Sequence, residues 1–116
     1  MPRFVEKPSE FTVAVDWQGE SITLRVRWTP RGDDEFACLW RPDPEGRMIA
    51  DKTKALDLLV RQTVGWEGVE DANGEAVEFS PEQFSSLLPG VLKMRLIQRF
   101  VNEAITFALA TSANPT

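Results

Sequence analysis

The sequence predicts an α+β fold: an N-terminal β-hairpin followed by a mainly helical C-terminal part, with a short turn or hairpin between helices. Three observations carry this. Residues 11–17, FTVAVDW, and 21–28, SITLRVRW, alternate apolar and polar residues with a period of two. Residues 51–64 and 91–110 space their apolar residues as one face of a helix requires. Between them stand a strong turn dipeptide, Asn73-Gly74, and a helix-start signature at Ser80-Pro81.

In the hairpin, Phe11, Val13, Val15 and Trp17 fall on one face, as do Ile22, Leu24, Val26 and Trp28. Arg25, Arg27 and Asp16 lie on the other, so one face is apolar and the other solvated. The residues QGES, 18–21, join the two runs. Phe36, Leu39 and Trp40 have i, i+3, i+4 spacing, which fits a short helix over 34–41 stopped by Pro42, with a third strand as the alternative. DPEGR at 43–47 reads as a loop. A helix over 51–64 follows, N-capped by Asp51, with Leu56, Leu59, Val60 and Val64 on its inner face and Gly65 as its C-cap. WEGV and AVEF, on either side of Asn73-Gly74, fold back on each other as an irregular hairpin or a plain loop. Ser80 then caps a helix with Pro81 at its first position and Gln83 completing a capping box, while Phe79 and Phe84 make a hydrophobic staple. Pro89-Gly90 ends that helix. The last helix, 91–110, turns Ile97, Phe100, Val101, Ala104, Ile105 and Ala108 inward, widened by Leu96, Phe107 and Leu109. Residues 1–10 read as a flexible segment, 11–110 as a single domain and 111–116 as a frayed tail.

Composition narrows the function. With 13 Lys and Arg against 18 Asp and Glu, the net charge is −5, which argues against an electrostatic grip on nucleic acid. The chain has no histidine, no tyrosine and one cysteine, Cys38. The usual general base and the Ser-His and Cys-His pairs are therefore missing, and neither a disulfide within the chain nor a cysteine-rich zinc site can form. Cys38 is expected to be a small buried hydrophobe. Without a nucleophile–base pair or a phosphate-binding loop, no reaction class emerges, and the chain is expected to be non-enzymatic and without cofactor or metal. The acidic turn offers Asp71, Asn73, Glu75 and Glu82 at calcium-loop spacing. It lacks the glycine such a loop needs at its sixth position, where Ala76 stands. No apolar stretch approaches a membrane span and the first ten residues show no signal-peptide core, so a cytoplasmic location is expected.

The segment from Val60 to Ile105 resembles the tail assembly chaperones of long-tailed bacteriophages. VGWEGVED at 64–71, NGEAVEFS at 73–80, the short helix PEQFSSLLP and the amphipathic helix after PGV carry the resemblance, supported upstream by RVRW and TPRGDDEF. It implies a protein of the host cytoplasm that binds the tape measure protein and keeps it soluble while tail tube subunits assemble around it, with the tail tube protein as a further candidate partner. Trp66, Val69, Phe79, Phe84 and Phe107 are the candidate partner-binding residues. The competing readings are a ring-forming structural subunit of the tail or head–tail junction and a small bacterial protein-interaction domain.

Overall fold

The computed structural model describes residues 9–112. Strand β1 (Ser9–Trp17) and β2 (Glu20–Trp28) form the expected hairpin, in continuous antiparallel register from Ser9 opposite Trp28 to Trp17 opposite Glu20. The connection is tighter than QGES. Gln18 and Gly19 alone make the turn, with φ of 53° and 82°, so both central residues are left-handed, as the twist of a two-residue hairpin demands. Residues 9 and 10, expected in a flexible segment, already belong to β1. The remainder of that segment and residues 113–116 of the tail lie outside the described residues, whereas residues 111 and 112 end the last helix.

Helix α1 (Pro30–Ala37) starts four residues before the expected boundary and stops well short of Pro42. The amides of Cys38 and Leu39 tighten its end by bonding Asp34, Glu35 and Phe36 carbonyls at 3.1–3.2 Å. Trp40 then opens β3 (Trp40–Pro42), which pairs with β4 (Met48–Ala50) as a two-stranded ribbon. Both readings of 34–41 are thus partly realised: helix first, strand after. Phe36 and Leu39 are buried, and Pro42 ends a strand rather than a helix. The DPEGR loop is the ribbon's turn, with the Asp43 carboxylate accepting from the Glu45 and Arg47 amides at 2.9 and 2.8 Å. Cys38 is exposed, not buried, because it occupies the turn between helix and ribbon.

Helix α2 (Lys52–Gln62) is N-capped by Asp51, whose side chain accepts from the Lys54 amide. It does not end at Gly65. The Thr63 hydroxyl and amide both bond the Leu59 carbonyl, the hydroxyl at 2.6 Å, and the chain passes directly into β5 (Thr63–Glu67). The buried face of α2 is therefore Ala55, Leu58 and Leu59, with Leu56 and Val60 beside it, while Val64 points outward at 44% exposure. β5 adds antiparallel to β2, giving the order β1-β2-β5, with a register shift between Arg25 and Val26 that leaves Val64 unpaired.

After β5 the chain folds back around Asn73-Gly74. Glu70 bridges Ala76, and the Val77 amide bonds the Val69 carbonyl at 3.0 Å, so the irregular hairpin forms. Helix α3 (Pro81–Leu87) starts as expected, with Ser80 Oγ accepting from the Gln83 amide at 3.1 Å. Helix α4 (Gly90–Ser112) crosses the apolar face of the sheet and packs against β1. The sheet's inner residues Val13, Leu24 and Val26 and the helical residues Leu58, Leu59, Phe84, Leu92, Leu96 and Phe100 form one core. Among the described residues, no helix is long and apolar enough to cross a membrane.

The Asp51 cap carries a pH signature. The Lys54 amide, with Arg41 and Lys54 charges nearby, holds its carboxyl below the usual aspartate range against a smaller opposing effect of burial. A lowered folded-state value means the cap stabilises above the ordinary aspartate pKa and is lost as pH falls through the folded one. Asp51→Asn keeps the acceptor without the charge. Its denaturation midpoint is therefore expected to fall less between pH 6 and pH 3 than that of the parent chain. Parallel curves would contradict this.

Candidate functional site

The five residues expected at a partner surface do not share one open face. Trp66 stands in β5 opposite Leu24 and is 8% exposed. Its indole N–H donates to the Val77 carbonyl at 2.7 Å, which ties β5 to the returning arm of the hairpin. Phe79 meets the Trp66 ring edge-on at 5.1 Å, and Phe84 stacks at 6.3 Å. Phe79 and Phe84 lie 6.4 Å apart, the expected staple. Val69 is buried in the same core. Trp66, Phe79 and Phe84 thus build an interior aromatic cluster, of which only Phe79 retains partial exposure. Phe107 is elsewhere. It stacks on Phe11 at 5.2 Å and meets Trp28 at 6.4 Å, so it faces the sheet rather than an open helix edge.

The acidic turn is likewise structural. Asp71 Oδ1 accepts from the Asn73 and Glu75 amides at 2.8 and 3.0 Å, an arrangement that fixes the turn. Among the described residues, no group of three metal-ligating side chains comes together.

The open apolar surface lies on the opposite side of α4. Large apolar side chains left exposed among the described residues are Met48, Ile49, Val64, Leu87, Val91 and Met94. Three of these, Met48, Ile49 and Met94, line a single groove of about 490 Å³ together with Trp40, Ile97 and Val101. One wall is the β3–β4 ribbon and the other is α4. Val91 lies one turn before Met94 on the same side of α4 and extends the apolar strip beyond the groove. Met48 is 59% exposed and Met94 48%, so two of the groove's accessible side chains are unbranched thioethers that adapt to a partner's shape.

The sequence held a signal for this groove. Val91, Met94, Val101 and Ile105 recur on a second side of α4, distinct from the inner stripe of Leu92, Leu96, Phe100 and Ala104. The ribbon was hidden because β3 and β4 are each three residues long, too short for a periodic pattern.

No protein-family model matches the chain, and no curated protein or solved structure matches it either.

Proposed function

We propose that this protein is a phage tail assembly chaperone that binds the tape measure protein and keeps it soluble during tail tube assembly in the host cytoplasm. Two things support the reading: the resemblance of residues 60–105 to that family, and the groove between α4 and the β3–β4 ribbon. The groove is the observation that carries it. A long amphipathic client helix exposes an apolar stripe, and an open trough lined by Trp40, Met48, Ile49 and Met94 is a surface that can cover one. The protein acts by masking, without catalysis. The net charge of −5 keeps loaded complexes apart.

Co-expression with a phage tape measure protein as client tests the reading. The client is expected in the pellet alone and in the supernatant with the chaperone. Met94→Lys places a charge in the groove at an exposed position and is expected to return most of the client to the pellet while leaving the chaperone folded. Trp66→Ala is the wrong probe, because it removes a core ring and reports stability. A client indifferent to the parent protein overturns the chaperone reading.

The outer edge of β1 favours a second reading, a ring-forming structural subunit. This strand is nine residues long and has no strand partner on that edge among the described residues. A stable oligomer in the absence of any client, measured by native mass, would support it.

A further inference from the structure

We propose that the groove's occupant is an amphipathic helix whose apolar stripe is bordered by carboxylates, not a second copy of this chain and not a basic helix. The inference rests on reading the groove as the client-binding surface and goes on to the chemistry of the client.

Charge at the groove runs against that of the whole molecule. The chain carries five more acids than bases, yet none of the groove's lining residues is acidic and the one charged residue is Lys52. On the α4 side the polar border is Gln98 and Asn102. Arg95 precedes Asn102 by seven residues, two helical turns, and so continues the same border beside Met94. Lys52 and Arg95 are exposed, and neither makes an ion pair with another described residue. Arg41, on the ribbon, is 61% exposed and reaches only the edge of Asp51 at 3.9 Å. Asp51, which stands in sequence between the lining residues Ala50 and Lys52, is already committed to the α2 N-cap. The apolar trough thus has Lys52, at the start of α2, in its lining, Arg95 on its α4 border, and no acidic residue in its lining.

Helical form follows from the walls. α4 has its backbone bonds satisfied internally, and β3 and β4 are three-residue strands paired with each other. Neither wall offers a long strand edge for an extended peptide, whereas a helix brings its own backbone bonds and needs only side-chain contact. A second copy is disfavoured by the same charges, since two such grooves meeting face to face would bring Lys52 and Arg95 against their like. An acidic border on the client places opposite charges over Lys52 and Arg95, which selects the partner and fixes its orientation.

Two synthetic helical peptides with one shared leucine stripe test this, one with glutamate and one with lysine at the flanking positions. Binding is read by polarisation of a labelled peptide. The glutamate peptide is expected to bind about tenfold more tightly at low salt, with the gap closing as ionic strength rises. The double variant Lys52→Glu, Arg95→Glu changes only exposed side chains and is expected to invert the order. Equal binding of both peptides, insensitive to salt, overturns the acidic-border proposal and leaves the groove reading standing. Failure of both peptides to bind, together with full client solubilisation by Met94→Lys, overturns the proposal and the groove reading together. A concentration-dependent dimer abolished by Met94→Lys assigns the groove to a second copy and overturns the proposal.

Discussion

Phe100→Ala is expected to cost about 3–5 kcal/mol, a large share of the roughly 5–15 kcal/mol that holds a small domain together. The ring is wholly buried and lies at 6.3 Å from Phe11, 6.2 Å from Trp28 and 6.1 Å from Phe36. It is the point where β1, β2, α1 and α4 meet. Truncation removes its own buried area and leaves three aromatic neighbours facing a void that they are too rigid to fill. Phe100→Leu keeps most of the volume and should cost about 1.5 kcal/mol or less. Urea denaturation of both variants, at unchanged slope, measures the difference. An alanine variant within 1 kcal/mol of the parent would show that the cluster collapses without penalty and would contradict the packing described.

Gly68→Ala is expected to be the costliest of the glycine substitutions, at about 3 kcal/mol. Gly68 leaves β5 with φ +87°, and a Cβ there would press into the Ser21 carbonyl oxygen, with the carbonyl carbon 3.2 Å away. Both partners are backbone, so neither can swing aside. Gly19 supplies the control. Its φ of +82° is nearly the same, but nothing lies within 4 Å of the added atom. Gly19→Ala therefore measures the left-handed strain alone, about 1–2 kcal/mol. The excess at Gly68 is the cost of bringing β5's exit against the start of β2. Equal losses at the two positions would mean that the close approach contributes nothing.

Much of the fold was legible because it is encoded locally. The hairpin shows itself through strict alternation at Phe11–Trp17 and Ile22–Trp28, and α3 through Ser80, Pro81 and the Phe79–Phe84 staple. Most of the failures originate in long-range partners. Gly65 looks like a helix cap, but it stands in β5 opposite Arg25 of the neighbouring strand, whose guanidinium lies across it. Thr63, which gives no cap signal in sequence, ends α2 through its hydroxyl and amide. Trp66 looks half-exposed if the helix ends at Gly65 and a loop follows. Once β5 begins at Thr63, pairing with β2 turns the indole inward opposite Leu24. The burial of Trp66, Val69 and Phe84 follows from the same pairing. Aromatic residues near a loop suggested an interface, whereas the exposed apolar strip is made of methionines and aliphatic residues contributed by α4 and a ribbon too short to announce itself.

The packing of α4 across β1 has a kinetic consequence. Phe11 and Phe100 touch, although they are roughly ninety residues apart in sequence, so the core closes through a contact of high sequence separation. A hairpin alone is at best marginally stable in water. At ribosomal speeds, on the order of ten seconds pass between the emergence of the strand and of the helix that covers it. During that interval the apolar side of the nascent hairpin has no permanent cover. A protein proposed to guard another chain's exposed surface passes through the same hazard during its own synthesis.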